Sequence, residues 1–73
     1  MVNGTKIKRL RESKSITLVN LAKEVGLSHN MLVYIEKGLR QPSVEALKRI
    51  ADYFKVKVDD LLIDTTDYKT GTT

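Results

Sequence analysis

The chain has no cysteine and no tryptophan, and only one proline, one histidine and one phenylalanine among its 73 residues. Without cysteine no disulfide or thiolate metal site can staple so small a chain, and His29, standing alone, has no second ligand at metal spacing. Catalytic equipment is missing too. Ser28 and His29 are neighbours at a helix start and point apart, no two carboxylates share a helix face, and no glycine-rich loop could cradle a phosphate. Neither an enzyme nor a cofactor is expected. No apolar run approaches the roughly 20 residues that span a bilayer, and no signal-peptide pattern is present, so a cytoplasmic protein without membrane contact is expected. Length allows one domain at most, and a marginal one, because a small chain buries a limited fraction of its surface.

What the chain does have is helical periodicity. Thr17 is a good N-cap, and Leu18, Leu21, Ala22 and Val25 follow at i, i+3, i+4 and i+7. Gly26 stands where a positive φ ends that helix sharply. Ser28 caps the next helix, about 28–37, whose inward side is Leu32 and Ile35. Ile16 with Leu21, and Leu27 with Leu32, have the spacing of hydrophobic staples, which fix the angle at which a helix begins. The methyl group of Ala22 lets the two helices cross closely, and together these features describe a helix-turn-helix.

The flanks are helical as well. Asn3 can cap a first helix running to about Lys14, with Val2 and Ile7 as its staple and Ile7 and Leu10 inward. Gly38 and Pro42 end the third helix, and Ser43 caps a fourth whose stripe is Val44, Leu47, Ile50, Ala51 and Phe54. A short fifth helix is expected at about 58–62. From Asp64 onward the sequence DTTDYKTGTT offers nothing to bury. The expectation is an all-α domain over 1–63, a compact bundle of five short helices, followed by a disordered polar tail over 64–73. Charge divides the same way. Residues 1–57 carry 12 Lys/Arg against 5 acids, a net +7, and residues 58–73 carry a net −3. A basic body suits an anionic partner.

The 20-residue window 18–37 resembles the DNA-binding helix-turn-helix of the Cro and phage-repressor (XRE-like) type. It has Ala at the fifth place (Ala22), Gly at the ninth (Gly26), and apolar residues at the fourth, eighth, tenth, fifteenth and eighteenth (Leu21, Val25, Leu27, Leu32, Ile35). Ile35 with Glu36, Gly38, Pro42 with Ser43, and the run Asp59, Asp60, Leu61, Leu62 extend the resemblance over about 6–62. It implies a lambda-repressor-like domain acting as a transcriptional regulator, a repressor, that binds double-stranded DNA as a homodimer on a palindromic operator. Carried over position by position, it implies base reading by Ser28, His29, Asn30, Val33 and Tyr34. Asn can pair with adenine, His can donate to guanine, and Val33 and Tyr34 can pack on thymine methyls. Phosphate contacts are implied for Thr17, Lys37, Arg40, Gln41 and Ser43, an internal ion pair for Arg11 with Glu36, and a dimer contact for Phe54, Val58, Leu61, Leu62 and Ile63.

Four places depart from the family pattern, one of them Val19, which replaces a usual polar residue. Leu18 stands where many members have a Gln that touches the DNA backbone. Ser15 and Lys55 stand where Gly is common, and a non-Gly residue in the left-handed region costs on the order of 1 kcal/mol, which leaves open a different turn after helix 1. The apolar cluster Leu18, Val19, Met31, Val33 and Tyr34 keeps a second reading open, a protein-interaction module such as an antitoxin or antirepressor that buries this face on a protein partner.

Overall fold

The computed structural model describes residues 1–63; the expected polar tail, 64–73, lies outside the described residues. The described residues form four α-helices, α1 (Gly4–Ser13), α2 (Leu18–Val25), α3 (His29–Glu36) and α4 (Val44–Phe54), and then a 3-10 turn at Val58–Leu61. The all-α expectation holds, but the fifth helix needs correction. Leu62 has already turned to extended backbone (φ −97°, ψ 155°) to make an antiparallel bridge with Val2, so only a four-residue 3-10 turn fits before it.

Each helix begins at the residue whose side chain can receive its orphan amides. Asn3 Oδ1 accepts from Lys6 N (3.1 Å), Thr17 Oγ1 from Asn20 N (3.1 Å), Ser28 Oγ from Met31 N (3.0 Å) and Ser43 Oγ from Ala46 N (3.1 Å). The helix ends are made by left-handed residues. Gly26 (φ +71°) ends α2 as the spacing requires. Ser15 (φ +55°) and Lys55 (φ +57°) adopt the same conformation without glycine. Both turns are closed by paired backbone bonds: Ser15 N to Glu12 O (3.0 Å) with Ile16 N to Arg11 O (3.2 Å), and Lys55 N to Asp52 O (3.1 Å) with Val56 N to Ala51 O (3.0 Å). That is the Schellman pattern. The chain keeps the turn and carries the strain.

The core is one cluster drawn from every element: Val2, Ile7, Leu21, Ala22, Val25, Leu32, Ile35, Leu47, Ile50, Ala51, Phe54 and Leu61. All three staple pairs contribute to it, with Ile16 and Leu27 packed against its edge. α4 departs from its expected stripe in one residue. Val44 is 72% exposed and Ala46 is buried in its place. At about 100° per residue, Val44 falls roughly 90° from the centre of the arc formed by Ala46, Leu47, Ile50, Ala51 and Phe54, and so faces solvent. α3 packs on both α1 and α2, while α4 packs on α2 and the 3-10 turn.

Candidate nucleic-acid interface

α3 has one face in the core and another open to solvent. Leu32 and Ile35 are fully buried, and Met31 is half-buried against the core. Ser28, His29 and Asn30 are exposed at the N-terminal end, and Tyr34, one turn on, is 42% exposed. Val33 is half-buried. It lines a recess with Lys8 and Arg11 of α1, Leu18 of α2, and Glu36 and Lys37. The residues expected to read bases therefore lie on the outward side, with Val33 at its border.

The C-terminal end of α3 is tied down by α1. Arg11 Nε lies 2.7 Å from Glu36 Oε2, Arg11 Nη2 donates to Glu36 Oε1 at 3.2 Å, and Nη1 donates to the Ile16 carbonyl at 3.1 Å. The two side chains are 13% and 6% exposed. The hydrogen bond to Glu36 raises the Arg11 pKa above its ordinary value. Burial works against that, and the charges of Glu36 and Glu12 add to it. A forked guanidinium matched to a carboxylate fixes orientation as well as charge.

Gly4 makes the second tie, one that sequence reasoning missed. A Cβ at this position would lie 2.2 Å from the Ile35 carbonyl oxygen and 2.8 Å from that of Glu36. Only glycine lets the start of α1 sit against the end of α3. The available signal was a glycine in the first helical turn, where it is costly by helix propensity.

The segment from the end of α3 to the start of α4 holds all the expected phosphate-contacting residues except Thr17. Gly38 takes φ +78°, and the amides of Leu39 and Arg40 both reach the Tyr34 carbonyl (2.8 and 3.3 Å). This turn brings the Arg40 guanidinium to 5.7 Å from the Tyr34 ring centroid, within cation–π range. Lys37, Arg40 and Ser43 are exposed, as is Thr17 at the start of α2. Thr17 and Ser43 use their oxygens as cap acceptors, but each hydroxyl keeps its proton to donate. Gln41 is engaged as well, its Oε1 accepting from Val2 N at 2.7 Å.

The residues expected at a dimer contact are not all available. Phe54 (5% exposed) and Leu61 (0%) are buried in the protomer's own core, because the 3-10 turn folds Leu61 back onto it. Val58 and Leu62 are half-buried against that core, and Ile63 is 45% exposed. Among the described residues no helix is long and apolar enough to cross a membrane.

Comparison with known proteins agrees with this geometry. The helix-turn-helix family matches residues 7–61. An uncharacterised HTH-type transcriptional regulator of Methanocaldococcus jannaschii is 37% identical over 62 residues, which cover 85% of this chain and 94% of the relative. Among solved structures, the P22 c2 repressor in complex with a synthetic operator superposes with a TM-score of 0.80 at 26% identity, covering 85% of this chain and 94% of that one. The N-terminal DNA-binding domain of SinR from Bacillus subtilis superposes with a TM-score of 0.76 at 32% identity, covering 84% and 90%. With this family match over the four helices and the 3-10 turn, the chain belongs to the helix-turn-helix family of the Cro and phage-repressor (XRE) type, a family of DNA-binding transcriptional regulators.

Proposed function

We propose that the protein is a repressor that reads a palindromic operator as a two-fold dimer, with α3 of each copy in the major groove. The family is one of regulators and not of enzymes. The observation that carries the reading is the division of α3 itself: Ser28, His29 and Asn30 are exposed at its N-terminal end while Leu32 and Ile35 are fully buried behind them. A recognition helix presents its N-terminal residues to base edges. Asn30 takes adenine, His29 donates to guanine, and Val33 with Tyr34 packs on thymine methyls. Thr17, Lys37, Arg40, Gln41 and Ser43 flank them as phosphate contacts, which set register without reading sequence. The P22 c2 repressor, similar in fold, was solved on operator DNA, which supports the same role here.

One recognition helix reads only a few base pairs, so two copies are needed for useful specificity, with half-sites about 34 Å apart. Since Phe54 and Leu61 are buried, the contact between copies uses Val58, Leu62 and Ile63. Selection from a random duplex library, followed by gel shifts across a salt series, tests the reading. An inverted repeat and steep weakening with salt are expected. A bound pool with no enriched sequence at low salt overturns it, and enriched single half-sites bound by a sedimenting monomer remove the dimer.

A second reading, docking of a protein on the same face, is favoured by the exposure of Val19 (50%) beside half-buried Leu18. Binding there would barely respond to salt.

A further inference from the structure

We propose that Val2 is a positioning residue of the DNA interface. Its backbone N–H holds the Gln41 side-chain oxygen, so that the Gln41 amide NH2 is the group left to meet a phosphate. The inference rests on the DNA-binding reading above and goes beyond it, because it assigns a role at the interface to a segment that lies before the family match begins.

The bond joins residues 39 apart in sequence, with Val2 N to Gln41 Oε1 at 2.7 Å. The donor is itself held in place by its neighbours. The Val2 side chain is 4% exposed within the core. Asn3 N donates to Leu61 O at 2.7 Å and Ile63 N to Met1 O at 2.9 Å, which makes the bridge between Val2 and Leu62. Asn3 caps α1, and Gly4 abuts the last carbonyls of α3. The Val2 N–H is therefore immobilised next to the loop that carries Arg40 and Gln41.

A primary amide has one accepting end and one donating end. An N–H facing it selects the orientation with the oxygen inward, since the flipped form would set two donors against each other. Gln41 is otherwise exposed, and without that bond its side chain would be free to present either end or neither. With the oxygen turned toward the Val2 N–H, the other end of the amide is the NH2, a donor, which is the sign a phosphate requires. Ordering the side chain before DNA arrives removes part of the entropy that binding would otherwise cost.

The test uses the full chain made by chemical synthesis, with the Met1–Val2 amide replaced by an ester. That removes the N–H and leaves every side chain in place. Wild type, the ester, Gln41→Ala, Gln41→Glu and the ester with Gln41→Ala are titrated with the selected duplex at a temperature where each is folded. The ester and Gln41→Ala should each weaken binding about fivefold, the value of one ordinary hydrogen bond. Their combination should bind no more weakly than Gln41→Ala alone. Gln41→Glu keeps an acceptor for Val2, so it should melt like wild type but bind more weakly than Gln41→Ala. An ester that binds as tightly as wild type overturns the proposal and leaves the DNA reading intact, as does a Gln41→Glu variant with wild-type affinity. Wild type that binds no duplex with preference overturns both.

Discussion

Replacing Arg11 by Ala should be among the most damaging single changes in this chain, for reasons that can be worked through from the geometry. The substitution deletes both hydrogen bonds to Glu36 and the bond to the Ile16 carbonyl. It leaves a carboxylate whose side chain is 6% exposed without its ion-pair partner. Breaking a mostly buried pair from one side costs about 3 kcal/mol, because the remaining charge is stranded. For a domain of this size that is a fall in Tm of roughly 12–24 °C. Glu36→Ala should be milder, since the long Arg11 side chain can turn its head toward water and keep its bond to Ile16. The double replacement Arg11→Ala/Glu36→Ala should lie between the two, since it removes the stranded carboxylate but still loses the Ile16 bond. Melting followed by far-UV circular dichroism gives the order directly. Because the Arg11 pKa is raised, its contribution is complete below the ordinary guanidinium value and is lost only as pH climbs through the raised one. Arg11 thus adds no pH dependence near neutrality, and the order should be the same at mildly acidic and mildly basic pH. If Arg11→Ala melts within about 3 °C of wild type, a shift worth well under 1 kcal/mol, or if the double variant melts below it, the stranded-charge reasoning is wrong.

Three other outcomes are expected. Ser15→Gly and Lys55→Gly should each raise stability by about 1 kcal/mol, or Tm by roughly 4–8 °C, by relieving a left-handed side chain; a lower Tm for either refutes the strain. Gly4→Ala should lower Tm by more than about 8 °C, since the new Cβ meets the backbone of α3 and overpacking of this kind costs 1–3 kcal/mol or more; wild-type melting would mean that α1 and α3 can part freely. Lys37→Ala and Arg40→Ala should each flatten the plot of log affinity against log salt by about one unit while sparing sequence preference, and an unchanged slope takes that residue out of the interface.

The parts legible from sequence were those governed by local rules. Caps at Asn3, Thr17, Ser28 and Ser43, the staples, and the stop at Gly26 depend on a few neighbouring residues, and each falls at its expected place. Ser15 and Lys55 were harder, because their intrinsic preference opposes the turn and the paired backbone bonds that overrule it are seen only once the helices are placed. Val44 went astray because its apolar character suggests a core role, while its angle around α4 puts it in water. The expected fifth helix came out as a shorter 3-10 turn for a long-range reason. Val2 and Leu62 are 60 residues apart, and no periodicity reports that their backbones pair. The bond from Val2 to Gln41 was invisible on the same ground, and Gly4 stood out only as a glycine in a first helical turn, with nothing local to say which element comes alongside α1.

The two ties from α1 reach the same end of α3. Gly4 meets the carbonyls of Ile35 and Glu36, and Arg11 grips the Glu36 side chain. At the opposite end, Ser28, His29 and Asn30 are exposed, and the backbone is held by the Ser28 cap, the staple of Leu27 with Leu32 and the packing of Met31. On the proposed interface, anchoring and reading are therefore separate. Residues at the anchored end cannot change without shifting the whole helix, whereas His29 and Asn30 can change with little effect on stability, since surface substitutions away from special features stay within about 0.5 kcal/mol. Leu18 belongs to the anchored side. It packs against the core beside Val33 and lines the recess flanked by Lys8 and Lys37, so its side chain contributes burial and has no hydrogen bond to offer. On the proposed reading, docking at that end of α3 falls to the Thr17 hydroxyl, the first amides of α2 and Lys37. These are groups that recognise phosphate charge and carry no sequence information.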